Sequence, residues 1–331
     1  MRVEIQTGSR LHFGLLCPSS NQRWYYGGIG MMIQDPGCRL SIATLPGQVL
    51  DRLCVAADVS ARVEKFLADF RAAAALHPAG VVLPAVSVTS DGDVALHSGL
   101  GTGTQLTLAL AAGCRVLSGQ GISADVSEMA RQFGRRRRSA VGTMGFARGG
   151  LLVDYGRWED RVERIHFPEQ WRLVLIRPRQ FAGLSGDSEE TFFGDRKPLN
   201  QSTLFQLVEQ IEEQIVPAIQ SCQFEKFATA LQVYGDIAGA DFAEIQGGLF
   251  SSSVVRRVLK ELESFTTFTA VQSSWGPTVC LPVESDHAAQ DLVHHLHPIV
   301  DDSVAEVLVT SARNEGASIR TDSDFSQRAL G

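Results

Sequence analysis

The sequence predicts an α+β protein with two domains, and three observations support this. The chain has 331 residues, which exceeds the usual size of one domain. Strand-like and helix-like segments come in runs rather than in strict alternation, which is typical of α+β folds. The pattern starts again after about residue 167, so we expect an N-terminal domain over residues 1–167 and a C-terminal domain over residues 168–331.

The N-terminal half is predicted to mix strands with amphipathic helices. Alternating or continuous apolar residues predict strands at 2–7, 10–16, 81–88 and 149–156. Apolar residues at helical spacing predict helices at 59–70, 105–117 and 123–133, the last capped by Ser123 and ended by Gly134.

The C-terminal half repeats this mixture. Buried strands are predicted at 171–178, 268–272, 278–283 and 304–310, and helices at 204–215, 224–234, 254–262 and 285–296. The segment 180–200 has no clean period. Because loops of this length are uncommon inside a domain unless they are functional, we expect it near the site.

Composition narrows the classes of function. The formal charge of −7 argues against a nucleic-acid-binding protein, whose domain would be basic. The six cysteines are scattered without a C-x-x-C pair, so we expect reduced core residues rather than a disulfide framework. The chain opens without a signal peptide and contains no run of 18 apolar residues, which predicts a cytoplasmic protein without a membrane segment.

The stretch HSGLGTGTQLTLALAAG, residues 97–113, is a glycine-rich turn that leads into a helix. Its glycines allow an anion to approach the backbone closely, and the first turn of a helix presents N–H groups and the positive end of the dipole. A phosphate or pyrophosphate is the expected ligand. The alternative is a tight turn below a small-residue helix. The spacing fits neither a Walker A loop nor the dinucleotide pattern G-x-G-x-x-G.

Other polar residues have two interpretations each. Arg10 and His12 alternate along a predicted strand and so share a face, which either lines a pocket or is solvated. His97 either contacts a phosphate or ends a strand, and the basic run 135–138 is a solvated turn or an anion site. The segments HHLH (294–297) and VDDS (300–303) are interpreted as a helix end and a turn rather than as a metal or ribose site.

Three separated motifs resemble one superfamily. SRLHFGL (9–15), HSGLGTGTQLTLALA (97–111) and SSWGPTV (273–279) are similar to the motifs of small-molecule kinases of the galactokinase, homoserine kinase and mevalonate kinase type. The resemblance implies a two-domain fold, with a ribosomal-S5-like N-terminal domain and a ferredoxin-like C-terminal domain. In that fold the central motif wraps the phosphates of ATP, and the last motif supports it.

One position departs from the kinases. Their catalytic aspartate corresponds to Gly142 in this chain, which cannot accept a proton. With YYGGIGMMI (25–33), AVGTMGFARGGLLVD (140–154) and GLSGDSEETFF (183–193), the chain resembles the β-ribofuranosylaminobenzene 5′-phosphate synthase family. That family joins phosphoribosyl pyrophosphate to 4-aminobenzoate or 4-hydroxybenzoate, with loss of CO₂ and pyrophosphate, on the route to methanopterin-type one-carbon carriers.

The resemblance implies a set of site residues. Arg10, His12 and Thr143 are expected to be catalytic; Ser98, Gly99, Gly101, Thr102, Gly103, Thr104, Gln105, Ser274 and Gly276 are expected to bind pyrophosphate or phosphate; and Gly28, Arg138, Arg177, Arg179 and Ser185 are expected to bind substrate.

Mg²⁺ is the expected companion of a pyrophosphate leaving group. The acidic residues available to hold it are Asp154, Asp187, Glu189 and Glu190. Of these, Asp154 and Glu189 are the expected ligands. Arg177 and Arg179 are predicted to bind the benzoate carboxylate or the ribose 5-phosphate, with a solvated strand end as the alternative.

Two other functions remain open on the sequence. The chain could be an ATP-dependent small-molecule kinase of the same superfamily or a non-catalytic member that binds a phosphorylated metabolite. Small-molecule substrates are the expected partners, without nucleic acid or membrane, and a homodimer is one arrangement that the sequence allows.

Overall fold

The computed structural model describes residues 1–16, 26–76, 80–91, 94, 96–121, 126–133, 140–156, 162–179 and 199–322. The strands are β1 (Arg2–Leu16), β2 (Gly27–Thr44), β3 (Arg52–Cys54), β4 (Val86–Asp91), β5 (Leu151–Asp154), β6 (Val162–Ile165), β7 (Arg172–Pro178), β8 (Val271–Gln272), β9 (Val279–Val283), β10 (Ala305–Thr310) and β11 (Ser318–Thr321). The helices are α1 (Ala57–Ala75), α2 (Thr102–Leu117), α3 (Val126–Gln132), α4 (Val141–Arg148), α5 (Gln201–Glu209), α6 (Val216–Gln220), α7 (Phe224–Ala240), α8 (Ala243–Gln246), α9 (Ser253–Leu262) and α10 (Asp286–Leu296). A π-helical turn, Gln210–Ile215, joins α5 to α6.

Two sheets organise the described chain. The first has the order β11-β1-β2-β4-β3, and β5 extends it by pairing with both β2 and β6. The second has the order β10-β7-β9-β8. Strand β8 leads directly into the loop formed by residues 273–276. Ser274 N of this loop donates to His12 O, so the loop lies against the second half of β1.

Buried apolar residues form separate clusters on the sheets. One cluster joins the first half of β1 to α1 and α2, for example Ile5, Val63 and Leu106. A second cluster joins the other half of β1 to α7, through Leu11, Leu231 and Tyr234. The two ends of β1 are therefore fixed by different layers of helices.

Helix starts in the C-terminal half follow simple capping rules. Asn200, Ser252 and Ser285 each accept a hydrogen bond from the amide three residues further along, at the starts of α5, α9 and α10. These bonds satisfy amides that would otherwise lack an intrahelical acceptor.

Three strand predictions need correction. The strand predicted at 268–272 is restricted to Val271–Gln272. The segments 2–7 and 10–16 form one continuous strand, with a register shift between Thr7 and Ser9. Gly8 lies at this shift, and a Cβ there would lie 2.1 Å from Ile33 O, so only glycine fits. The strand predicted at 81–88 begins only at Val86, because Pro84 lacks an N–H and its carbonyl accepts from Arg71 Nη2 instead.

The boundary predicted at residue 167 stays a prediction. Strands β1–β6 precede it and belong to the first sheet, and strands β7–β10 follow it and form the second. The last strand, β11, returns to the first sheet and pairs with residues 3–6 of β1. The two ends of the described chain therefore lie side by side.

Only some of the described cysteines are the buried core residues that the sequence predicted. Cys38, Cys114 and Cys280 are buried free thiols, whereas Cys54 and Cys222 are exposed. Burial raises the pKa of Cys38 and that of Cys114 to about 12, so both are neutral thiols at physiological pH. Within the described residues, no helix combines the length and the apolar character that a bilayer span requires.

Candidate active site

The glycine-rich segment forms a loop, residues 98–101, that ends where α2 begins. Gly101 is the N-cap residue of α2 and has a φ of +64°, in the left-handed region that favours glycine. Hydrogen bonds inside the helix start at Thr104 N, which donates to Gly101 O. The loop therefore ends at the positive end of a 16-residue helix, where an anion is stabilised.

The other two motifs fix this loop from both sides. Arg10 N of β1 donates to Leu100 O. Ser273 Oγ and Thr278 Oγ1 donate to Gly99 O and Ser98 O, at 2.8 and 2.7 Å. A Cβ on Gly99 would lie 2.6 Å from Ser273 O, so this close approach requires glycine. Residues 273–276, the support loop, thus hold the glycine loop against β1.

The Arg10 side chain lies between the starts of two helices. A Cβ on Gly101 would lie 3.1 Å from Arg10 Nε, and a Cβ on Gly142 of α4 would lie 3.6 Å from Arg10 Cδ. The same position on Gly142 is 3.6 Å from Thr104 Cγ2. A permanent cation therefore lies at the N-terminal end of α2 and adds to the helix dipole.

A second cation at this place was missed by the sequence analysis. A Cβ on Gly103 would lie 2.5 Å from Arg62 Nη1 of α1, so the guanidinium of Arg62 lies against the first turn of α2. The sequence offers little signal for it, because Arg62 is simply a polar residue in an amphipathic helix until α1 and α2 are packed together.

His12 is buried beside this cationic group. Its side chain is 2% exposed, and its Nε2 has no hydrogen-bond partner among the described residues. A Cβ on Gly28 would lie 2.5 Å from His12 Cε1, so Gly28 leaves room for the ring. Burial, with a smaller contribution from the charge of Arg10, holds the pKa of His12 well below 6.5. The imidazole is therefore neutral at physiological pH.

Two predicted ligand-binding residues instead join elements of the fold. Gln105 is fully buried; its Oε1 accepts from Thr7 Oγ1 at 2.7 Å, and its Nε2 donates to Gly142 O at 2.8 Å. Asp154 accepts from Ala140 N at 2.6 Å and from Gly156 N at 2.9 Å, with one carboxylate oxygen each. Both residues fix the start of α4 close to the glycine loop.

These contacts bear on the expected metal ion. The described part of the chain contains no group of three His, Cys, Asp or Glu side chains placed to bind a metal. Both oxygens of Asp154 already accept backbone hydrogen bonds, and Glu189 lies outside the described residues. The described residues thus do not form a metal cage.

The structure does not bring Arg177 and Arg179 into this group. Arg177 forms an ion pair with Glu306, its cross-strand neighbour on β10. Arg179 Nε donates to Asp302 O at 2.7 Å. Both contacts lie toward the β10 edge of the second sheet, opposite the β8 edge that leads to the support loop. Thr143 is buried in α4 beside Gly142. Arg138 and Ser185 lie outside the described residues.

Comparison with known proteins gives a consistent result. No family model matches the sequence. The chain is 28% identical over 240 residues to β-ribofuranosylphenol 5′-phosphate synthase of Methanothermobacter thermautotrophicus, covering 67% of this chain and 69% of the relative. It is 24% identical over 341 residues to the enzyme of that name from Archaeoglobus fulgidus, covering 96% of this chain and 99% of the relative. The predicted family resemblance is confirmed.

Solved structures confirm the predicted fold. A homoserine kinase from Cytophaga hutchinsonii superposes with a TM-score of 0.66 at 13% identity, covering 96% of this chain and 97% of the kinase. A mevalonate diphosphate decarboxylase from Staphylococcus aureus gives a TM-score of 0.65 at 12% identity, covering 97% and 98%. The chain thus shares its fold with this kinase and this decarboxylase.

Proposed function

We propose that this chain is a decarboxylating pentosyltransferase that condenses phosphoribosyl pyrophosphate with 4-hydroxybenzoate or 4-aminobenzoate. CO₂ and pyrophosphate are released, and the product is an aryl C-riboside 5′-phosphate for a methanopterin-type cofactor. One observation carries the proposal: two arginines, Arg10 and Arg62, lie at the start of α2, and Gly142 lies close to Arg10. The shared name of the relatives supports the reaction and favours the 4-hydroxy acceptor.

The residues suit a reaction that begins with loss of pyrophosphate. Departure of this group from C1 of the ribose leaves an oxocarbenium-like centre, so negative charge grows on the pyrophosphate. Donors and cations that are fixed in advance stabilise such charge most effectively. The first turn of α2 and the guanidinium groups of Arg10 and Arg62 have this role. The attacking ring carbon is itself the nucleophile, so a protein base at position 142 is not required.

Magnesium enters this proposal with the substrate. Mg²⁺ is usually bound through substrate phosphates and only one or two carboxylates. One structural neighbour is solved in complex with MVAPP, AMPPCP and magnesium. We therefore treat the magnesium complex of phosphoribosyl pyrophosphate as the substrate and assign no resident metal to the chain.

The decisive experiment offers the purified chain two sets of substrates. With phosphoribosyl pyrophosphate, Mg²⁺ and 4-hydroxybenzoate or 4-aminobenzoate, we expect release of pyrophosphate. With ATP and an alcohol such as homoserine or mevalonate, we expect no release of ADP. ADP formation would favour a kinase, and binding of phosphoribosyl pyrophosphate without turnover would favour a non-catalytic member.

Gly142 tests the choice between transferase and kinase directly. Gly142→Asp places a carboxylate against Arg10, because the Cβ position lies 3.6 Å from Arg10 Cδ and 3.8 Å from Arg10 Nη1. Partial neutralisation of Arg10 is expected to raise the KM for phosphoribosyl pyrophosphate about tenfold, a loss of about 1.4 kcal/mol. Gly142→Ala is the control, since its Cβ makes only ordinary contacts. Efficient ATP-dependent phosphorylation by Gly142→Asp would contradict this interpretation.

A further inference from the structure

A cavity that is open to solvent lies between α7, α8, β8 and the support loop. Phe13, next to His12 in β1, forms part of the wall, and so does Ser274 of the support loop. The amide of Ser274 donates to His12 O at 2.7 Å. The cavity therefore adjoins the strand that carries Arg10 and His12.

Three aromatic side chains form part of the wall of the cavity. Phe13, Phe242 and Phe250 line it, and the ring of Phe242 packs edge-on against Trp275 of the support loop, with the ring centroids 4.9 Å apart. On the α7 side the lining residues are small, including Ala238 and Gly239. Phenylalanine rings facing small residues leave a space suited to a flat, apolar ring.

Polar side chains also line the cavity. Gln272 Oε1 accepts from Ser251 N, and its Nε2 donates to Gln246 Oε1 at 2.9 Å and to Ser274 O at 3.2 Å. Asp236, an exposed residue of α7, also lines the cavity, and its Oδ1 accepts from Gln232 Nε2 at 2.9 Å. A carboxylate has about four acceptor positions, so Asp236 can accept a further hydrogen bond.

We propose that this cavity holds the ring of the aromatic acceptor, with the para hydroxyl group of 4-hydroxybenzoate donating to Asp236. This inference depends on the function proposed above. A hydrogen bond to Asp236 increases electron density on the para substituent and therefore on the ring carbon opposite, which carries the carboxylate. Asp236 is the acceptor-activating residue, and the three phenylalanines select for a planar ring.

The bonds and electrons of the step balance. The ring carbon that carries the carboxylate forms a bond to C1 of the ribose, and the C1–oxygen bond breaks with its electron pair leaving on pyrophosphate. The bond between this ring carbon and the carboxylate carbon then breaks and CO₂ departs. The electron pair of the broken bond restores the aromatic ring. The para hydroxyl proton, shared with Asp236 during attack, returns to the oxygen at the end.

Filling the cavity is the first test. A Cβ on Gly239 would lie 3.5 Å from Leu249 Cδ2, an ordinary contact, so Gly239→Leu accommodates its first carbon and fills the space with the rest. We expect the KM for 4-hydroxybenzoate to rise about tenfold or more, with the KM for phosphoribosyl pyrophosphate changed by less than about twofold. Ala240→Leu, an exposed neighbour in α7 outside the lining, is the matched control.

The second test replaces Asp236 by asparagine. A hydroxyl donates best when its proton is shared with a carboxylate, whereas an amino group donates its lone pair without losing a proton. We expect Asp236→Asn to lower kcat about tenfold with 4-hydroxybenzoate and by less than about twofold with 4-aminobenzoate. Asp291→Asn, an exposed aspartate of α10, is the control. Equal losses with both acceptors would overturn the role of Asp236.

Binding measured without turnover separates the two proposals. Ligand-detected NMR with 4-hydroxybenzoate, in the presence of pyrophosphate and Mg²⁺, is expected to report binding by the wild type and by Ala240→Leu but not by Gly239→Leu. This binding result, together with no pyrophosphate release in the activity assay, would support the cavity as the binding site of the aromatic ring and would refute the proposed transferase activity. Normal turnover by a folded Gly239→Leu with an unchanged KM for 4-hydroxybenzoate would refute the cavity alone.

Discussion

Gly101 has a backbone conformation that favours glycine, and it lies at the proposed anion site. Its φ of +64° disfavours any side chain, and a Cβ there would lie 3.1 Å from Arg10 Nε. We predict that Gly101→Ala lowers kcat/KM about 100-fold, as does loss of a group that stabilises transition-state charge. Steady-state pyrophosphate release measures this.

Gly119 provides a matched control for Gly101. It follows the other end of α2 and has a φ of +78°, but a Cβ there meets nothing within 4 Å. Gly119→Ala therefore introduces similar backbone strain without approaching Arg10, and we expect nearly normal kinetics. Equal losses of activity in the two variants would mean that strain, rather than the anion site, explains the effect.

His12 makes stability depend on pH. In the unfolded chain its pKa returns to about 6.5, whereas burial and Arg10 keep the pKa of the folded state well below that value. Between these two values the unfolded chain binds the extra proton. The free energy of unfolding therefore falls as the pH drops below about 6.5, by up to about 1.4 kcal/mol per pH unit from this residue.

A comparison of variants isolates this contribution. His12→Gln is expected to have a smaller loss of unfolding free energy between pH 7 and pH 5.5 than the wild type, as measured by urea denaturation. His287→Gln alters an exposed histidine of α10, with 85% of its side chain accessible, and should follow the wild type. Identical pH dependence in all three proteins would exclude the buried neutral imidazole.

Helix α1 contributes to the site through one residue. Arg62 Nη1 lies against Gly103, so its charge faces the first turn of α2. We predict that Arg62→Gln raises the KM for phosphoribosyl pyrophosphate about tenfold, because one cation facing the pyrophosphate is lost. Lys65→Gln changes a cation of the same helix that pairs with Asp69 in solvent, and we expect little effect. Inorganic pyrophosphate should inhibit Arg62→Gln less strongly than the wild type; equal inhibition would contradict this role.

Many of the elements were predictable, because hydrophobic periodicity reports which face is buried, but strands β2, β3, β6 and β11 were not predicted. Helices α7, α9 and α10 follow their apolar spacing. Local chemistry that periodicity does not capture explains the differences. Pro84 delays the start of β4, and Gly8 allows β1 to continue through a register shift. Helix α4 was not predicted, since its eight residues contain two glycines and lack a clear apolar stripe.

The roles of polar side chains were harder to predict than the positions of the motifs. Sequence motifs led to the glycine loop and the support loop, and the structure brings both to β1. Gln105 follows the glycine loop as a phosphate ligand would, yet its amide is used to join Thr7 to Gly142. Arg177 pairs with Glu306 across 129 residues of sequence. Such partners are determined by packing between elements that are distant in the sequence. A local sequence pattern holds no information about that packing.

Assembly of the whole chain creates the site. The bond from Thr278 Oγ1 to Ser98 O joins residues 180 positions apart, and β11 closes the first sheet beside the N-terminus of the chain. Contacts of this range connect the second sheet to the glycine loop. The geometry of the proposed anion site therefore depends on cooperative folding of the described chain, and isolated segments should not retain it.

The fate of the acceptor carboxylate tests the function of the complete molecule. Attack from the ring carbon that carries the carboxylate requires electron density from a para donor, so unsubstituted benzoate should be a poor acceptor however well it binds. Carboxyl-labelled 4-hydroxybenzoate is expected to yield labelled CO₂ and pyrophosphate in equal amounts, measured in the same reaction. Pyrophosphate release with the label retained would indicate an O-riboside, formed by attack through the hydroxyl group. In that case the anion site at α2 would stand, because it concerns only the leaving group, and carbon–carbon bond formation would be excluded.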